Sequence, residues 1–257
     1  MSTAPAIPQT PLTLLEGPQT FQVFHDEKAS KGRAQILHGS LEELQEKLQA
    51  LNEAGYGIFF AVNQTDGKGR KAENITKVRA YFCDIDGITE PQEKLHVLLR
   101  VTRSKAPPSA VVESRNGLHC YWYAADGENL DPREYAEVNI HLIEKFGGDK
   151  QAKDLARVLR VPGFIHRKEV DQPHLVKRII EQSNRRYTAE ELKAAFPLPP
   201  KEEKSTSIHF RTEAKTSKPY THYDDDPEWV WERVVEGLAD WAPVDGNKHT
   251  VLLLAFG

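Results

Sequence analysis

Cysteine and methionine are scarce in this chain, with two Cys and one Met in 257 residues. Cys83 and Cys120 lie far apart and form no Cys-x-x-Cys spacing, which argues against a disulfide framework and against a zinc site. Both are expected to be buried thiols on strands. No run approaches the roughly 20 apolar residues of a membrane-spanning helix. Met1 to Pro11 lacks the charged-then-apolar profile of a secretion signal, so a cytoplasmic chain with no membrane partner is expected. A large excess of one charge is also missing: 34 basic residues face 38 acidic ones, for a net charge of −4.

The balance hides opposed regions. Residues 145–180 carry nine Lys or Arg against four acids, and residues 223–240 carry seven acids against Arg233 alone. A basic face for a polyanion and a solvated acidic surface elsewhere account for this asymmetry. With 39% apolar and 28% charged residues the chain has the composition of a globular protein long enough for one large domain or a domain with an appendage.

Turn and cap signals divide the chain. Four prolines within residues 1–18 predict a flexible N-terminal arm. Ser40-Leu-Glu-Glu43 is a capping box, and Leu41, Leu44, Leu48 and Leu51 recur on one helical face behind it. A strand at 57–62, a glycine-rich turn at 63–70 and a helix from Pro91 follow. Asn116-Gly117 predicts a hairpin between strands at 109–113 and 118–124. Helices are expected at 132–146 and 154–159, a strand at 175–180, and a capping box at Thr188-Ala-Glu-Glu191. The main domain is thus expected over 19–196. Residues 197–222 have too few apolar groups for a core and read as a linker. Residues 223–257 read as the start of a helical domain, cut at Val251-Leu-Leu-Leu-Ala-Phe256, a run that cannot bury itself, so the natural chain is expected to continue.

The segment Arg79-Ala-Tyr-Phe-Cys-Asp84-Ile-Asp86-Gly87 is an apolar strand ending in two carboxylates. Alternation puts Asp84 and Asp86 on one face, about 7 Å apart at Cα, where they repel unless a cation lies between them. Magnesium or manganese is the usual cation where carboxylates meet phosphates. A solvated strand end running into an Asp-Gly turn is the plain alternative. His119 follows the hairpin turn, placed either as a structural histidine or as a donor to phosphate or metal. Ser114, Arg115, Asn116 and Gly117 in the turn offer a hydroxyl, a guanidinium and amides to a triphosphate. Asp154 stands open to three roles: helix cap, partner of Arg157 at i,i+3, or third metal carboxylate. Arg160 and Lys168 are either solvent-facing or a grip on phosphates.

Phe82-Cys-Asp84-Ile-Asp86, Ser114-Arg-Asn-Gly117-Leu-His119-Cys-Tyr-Trp122 and Asp154-Leu-Ala-Arg157-Val-Leu-Arg160-Val-Pro-Gly163-Phe-Ile-His166-Arg-Lys168 resemble, in order and spacing, the archaeo-eukaryotic primase superfamily. The likeness is greatest to the primase-polymerases of plasmids, phages and mobile elements and covers roughly residues 20–180. That resemblance implies an α+β fold, an RNA-recognition-type catalytic sheet joined to an N-terminal α/β unit. It implies template-directed nucleotidyl transfer with Asp84, Asp86 and Asp154 holding two Mg²⁺ or Mn²⁺ ions and His119 on the nucleotide phosphates. Arg160 and Lys168 match positions near nucleotide or template. His166 departs from the asparagine common in relatives. The implied partners are single-stranded DNA, nucleoside triphosphates and a helicase domain or protein.

Two other functions compete. Asp84-Ile-Asp86-Gly87-Ile-Thr89 and Gly148-Asp149-x-x-x-x-Asp154 also resemble motifs of haloacid-dehalogenase-type phosphatases, in which the first Asp is the nucleophile. Against this, Asp84 comes late in the chain and no motif Ser/Thr or Lys is evident. The other competitor is a non-catalytic replication module that binds DNA through its basic face.

Overall fold

Apolar runs of strand period alternate with capped amphipathic helices along the first 200 residues, and the computed structural model describes residues 12–27, 33–169 and 172–199. Two four-stranded antiparallel sheets are built from them. The first contains β1 (Pro18–His25), β2 (Gln35–Ser40) and β3 (Tyr56–Ala61), with α1 (Leu41–Glu53) between β2 and β3. A small hairpin of β4 (Gln64–Thr65) and β5 (Ile75–Lys77) leads to the second sheet. That sheet comprises β6 (Ala80–Ile85), β7 (Ala110–Ser114) and β8 (Gly117–Tyr123), with α2 (Pro91–Thr102) before β7 and α3 (Pro132–Phe146) after β8. The chain then returns to the first sheet with β9 (Val158–Arg160), forms the short pair β10 (Ile165–His166) and β11 (His174–Leu175), and closes with β12 (Lys177–Glu181) and α4 (Ala189–Ala195).

Strand order is β2-β1-β3-β9 in one sheet and β12-β7-β8-β6 in the other. In the second, β6-α2-β7 with β8 inserted between its strands is the split β-α-β of RNA-recognition folds, so the expected α+β architecture is present. The closing strand β12 joins beside β7, which leaves β6 at the sheet edge. An open edge is a liability that α3 removes. Asn139 Oδ1 accepts from the Phe82 amide at 3.1 Å, and the Tyr135 hydroxyl donates to the Ala80 carbonyl at 2.8 Å.

The capping boxes form as expected. Ser40 Oγ accepts from the Glu43 amide while Glu43 returns a bond to the Ser40 amide, and Thr188 and Glu191 do the same for α4. Each cap contributes about 1 kcal/mol. Leu48 on α1 is fully buried, with Leu41, Leu44 and Leu51 packed around it. Between the sheets Phe60 meets Tyr121 at 6.3 Å, and Trp122 on the opposite face stacks on Phe146 of α3 at 5.6 Å.

Several expectations change. The N-terminal arm is not free to residue 18: Leu12, Leu14 and Leu15 are buried and β1 begins at Pro18. Arg79 fastens this segment. Its guanidinium donates to the carbonyls of Leu14, Ala61 and Val62 and to Gln19 Oε1, all within 2.9 Å. No helix forms at 154–159; a turn at Leu155-Ala156 leads directly into β9. Pairing of Phe60 with Leu159, and Asn63 Nδ2 on the Leu155 carbonyl at 3.0 Å, outweigh the local helical preference. Residues 1–11, the linker beyond residue 199 and the helical region at 223–257 lie outside the described residues. No helix among the described residues is long and apolar enough to cross a membrane.

Candidate active site

Asp84 sits near the end of β6 directly across from His119 on β8, so strand register alone brings the two together. His119 Nε2 lies 3.6 Å from Asp84 Oδ1, beyond hydrogen-bond length. Burial drives the His119 pKa down to about 4, with Asp86 opposing and Arg160 assisting, so this imidazole is neutral near pH 7 and the contact is not an ion pair. Asp84 Oδ1 and His119 Nδ1 are both buried without a hydrogen-bond partner.

An orphaned carboxylate oxygen is costly to bury. Burial first, and then the charge of Asp149, push the Asp84 pKa up to about 6, while Arg157 pulls the other way. Asp86 is more open, and its pKa is also raised, by burial and then by Asp84, against His119 and Lys168. The site is thus a pair of carboxylates with a third beside it and with Arg157, Lys168 and His119 at its border.

The carboxylate whose charge reaches both Asp84 and Asp86 is Asp149. Gly148 lies so close to β6 that a Cβ on it would come within 2.4 Å of Cys83 Sγ and 3.0 Å of the Asp84 carbonyl oxygen. Only glycine allows this approach, and it lets the Asp149 amide donate to the Asp84 carbonyl at 2.7 Å. The Asp149 turn is locked on its other side by the Gln151 amide on Oδ1 at 2.9 Å and the Ala152 amide on the carbonyl at 3.0 Å. Asp154, expected from the sequence resemblance as the metal carboxylate, is instead paired with Arg157 at 2.7 Å, with its side chain 55% exposed. Arg157 also donates to the Gln151 carbonyl, which ties Asp154 to the far side of the same loop.

The hairpin turn expected as a cradle is tied into the fold by its own bonds. A Cβ on Gly117 would sit 1.7 Å from the Ile85 carbonyl oxygen, so glycine is obligatory where the turn leans on the acidic strand. Asn116 accepts from the Ile88 amide at 2.7 Å, and the buried Ser114 hydroxyl donates to the Gly117 carbonyl at 3.2 Å. Arg115 is held by Glu169 and the Gln172 carbonyl. Lys94 from α2 donates to the carbonyls of Ser114 and Arg115, each at 2.9 Å, and to Glu113. These groups clamp the Asp84-to-Asp86 segment from behind.

Arg160 is likewise engaged, by a two-pronged pair with the buried Asp26 at 2.7 and 3.3 Å. Its charge still reaches His119 and His166. His166 is buried with neither ring nitrogen bonded, and burial and the Arg160 charge lower its pKa to about 4. Lys168 faces Asp86 electrostatically. Asp26 and His174, which pairs with His166 across β10 and β11, carried no sequence signal beyond an acid after a strand and a histidine in a loop.

Among the described residues no three His, Cys, Asp or Glu side chains already converge on one point. The bare Asp84 oxygen and the raised carboxylate pKa values fit a cation at the pair of Asp84 and Asp86.

An α+β domain with an acidic pair at the end of a strand facing a histidine is the class defined by this geometry, and similarity narrows it. The model of the RepB DNA-primase N-terminal domain matches residues 43–224, and the chain belongs to this family of replication primases. A replication protein of Clostridium perfringens is 27% identical over 158 residues, 58% of this chain and 38% of the relative, so the chain spans well under half the length of that protein. In fold, the primase-polymerase domain of cyanophage S-2L matches 72% of this chain and 94% of its own at a TM-score of 0.53 and 18% identity. Primase RepB′ matches 71% of this chain and 58% of its own at a TM-score of 0.52 and 17% identity. The catalytic domain of RepB′ in complex with initiator DNA matches 71% of this chain and 87% of its own at 0.51 and 17%. Family membership leaves the phosphatase alternative without support.

Proposed function

We propose that this chain carries the catalytic domain of a primase-polymerase that joins nucleotides on a single-stranded DNA template during replication of a plasmid, phage or mobile element. The observation that carries the proposal is a bare, buried Asp84 oxygen set by strand register across from a neutral His119, with Asp86 just beyond it along the chain and the charge of Asp149 reaching Asp84. Asp84, Asp86 and Asp149 are the oxygen donors for two divalent ions, Mg²⁺ or Mn²⁺. Bound there, such ions supply charge neutralisation at the attacking 3′-oxygen and at the departing pyrophosphate.

The chain's own groups do the rest. Neutral His119 is positioned to donate a hydrogen bond to a phosphate oxygen without repelling the ions. Lys168, whose charge reaches Asp86, and Arg157, whose charge reaches Asp84, offset charge on the triphosphate. The Gly117 turn and the Lys94 latch hold the acidic strand still while Gly148 brings Asp149 to it. A helicase domain or protein is the partner that would expose template.

The test is incorporation of labelled nucleotides on a primed and an unprimed single strand, with Mg²⁺, Mn²⁺ or EDTA. Asp84→Ala/Asp86→Ala is expected to abolish incorporation and keep DNA binding. An active double variant refutes the proposal. A wild-type chain that binds DNA and incorporates nothing under any metal favours the non-catalytic module.

A further inference from the structure

The first sheet has one face turned away from the core, and strand register defines its residues. Thr20, Gln22 and Phe24 of β1 share that face with Ile36 and His38 of β2, Phe59 of β3 and Arg160 of β9, with Gln22 opposite both Ile36 and Phe59 and Phe59 opposite Arg160. The β4–β5 hairpin folds over the Thr20 end, where Thr65 and His38 bond the Thr20 hydroxyl. The other end carries the aromatic residues. There Phe24 and Phe59 stack with ring centroids 4.3 Å apart, the Arg160 guanidinium lies over the Phe59 ring at 4.5 Å, and Phe24 is 37% exposed.

A stack of guanidinium, ring and ring that ends in an exposed ring is a platform onto which a further flat π-system can add. Cations flank it. A cavity of about 600 Å³ between the β4–β5 loop and the sheet is lined by Lys68, Arg70 and Lys71 together with Gln22 and Ile36. The loop is stiffened by Asp66, which accepts from the Lys68 amide at 2.8 Å and from Asn74, and Arg70 is aimed at the sheet by its bond to Gln22 Oε1. Glu73 offsets Lys71 at 3.7 Å, which leaves the loop with a modest cationic excess.

We infer that this face, from the Phe24–Phe59 stack to the Lys68–Lys71 loop, binds single-stranded DNA by stacking an unpaired base on Phe24 while the loop cations take the neighbouring phosphates. Exposed aromatic faces bordered by cations match unpaired bases and backbone phosphates together, whereas a duplex offers no free base face. Arg160, stacked on Phe59, closes the buried end of the platform and is itself held by its two-pronged pair with Asp26. The inference rests on the proposal that the chain works on single-stranded DNA, and it assigns the surface that holds the strand.

Equilibrium binding of a fluorescent single-stranded oligonucleotide to the full chain, measured over a range of salt, tests it. Phe24→Leu keeps the apolar surface and loses the ring, and is expected to weaken binding at least about five-fold, equivalent to about 1 kcal/mol, without changing the salt dependence. Phe24→Trp is expected to restore or exceed wild-type affinity. Lys68→Ala/Lys71→Ala is expected to lower the slope of log K against log salt by about 0.7 for each phosphate that is no longer neutralised. A smaller loss in Phe24→Leu, or equal affinity of the wild type for a duplex of the same length, overturns the inference. Nucleotide incorporation by the same wild-type preparation separates the two claims: an active enzyme whose Phe24→Leu variant binds normally loses only this surface, and an inactive one with the expected binding changes loses only the proposed reaction.

Discussion

Removing the charge of Asp84 should stabilise the metal-free protein while destroying its activity. The carboxyl has a pKa of about 6 in the fold against 3.8 for an ordinary aspartate, because burial and the neighbouring Asp149 penalise the anion. A difference of about two units corresponds to roughly 3 kcal/mol carried against folding when the group is ionised. The direction follows from the protons. Below pH 3.8 both folded and unfolded chains hold the proton, between 3.8 and about 6 only the folded chain keeps it, and above about 6 the whole cost is present. Stability contributed by this group therefore falls as pH rises through that window. Asp84→Asn removes the ionisation and leaves an amide without ideal partners, so a net gain of about 1–3 kcal/mol is expected at pH 8. For a domain of this size that is roughly 3–10 °C in Tm. Unfolding in EDTA should show the stability gap between variant and wild type falling by about 1.4 kcal/mol between pH 8 and pH 5. Adding Mn²⁺ should raise the Tm of the wild type and leave the variant nearly unmoved. An Asn variant less stable than wild type at pH 8, or a gap independent of pH, would refute the assigned burial and repulsion.

Asp149→Asn should remove most nucleotide incorporation and weaken Mn²⁺ binding, while Asp154→Asn should keep most of both; titration with Mn²⁺ and a primer-extension assay read this directly, and the reverse pattern returns the third carboxylate to Asp154. Gly117→Ala should destabilise the domain by about 2 kcal/mol or more and depress incorporation, since the added carbon collides with the Ile85 carbonyl and pushes the acidic strand out of place; wild-type melting and activity would contradict the clamp. Arg79→Met should cost about 3–5 kcal/mol by leaving buried carbonyls unpaired, and limited proteolysis should then cut near residue 15. An unchanged melting curve in that variant would show that the N-terminal segment is held by its leucines alone.

Much of the fold was legible because its signals are local. The Ser40 and Thr188 boxes, the Asn116-Gly117 turn and the leucine face of α1 each depend on residues within a few positions of one another, and the structure realises all four. Strands of the first sheet were harder. β1 begins in a proline-rich stretch, β2 follows a polar, charged one, and β9 is three residues long. Their place is fixed by pairing with β3 from distant parts of the chain, which no window of sequence displays. The same holds for Asp26: its role is set by Arg160, 134 positions away.

The candidate site divides along the same line. Asp84 and Asp86 were readable together from strand alternation, and His119 from its place behind the hairpin turn; the pairing of β6 with β8 that sets Asp84 across from His119 spans α2 and β7 and is displayed by no local rule. Asp149 and Asp154 are chemically equal in the sequence, and the family resemblance, together with the expectation of a helix from 154, favoured the second. What separates them is a close approach: Gly148 has no side chain, so its backbone can touch β6, and the residue after it is bonded to Asp84 itself. A glycine in front of an acid reads as a loose turn in one dimension. Packed against a strand it becomes a rigid mount, because the packing that fixes it needs the absence of a Cβ, and that absence is visible only once the neighbouring strand is known.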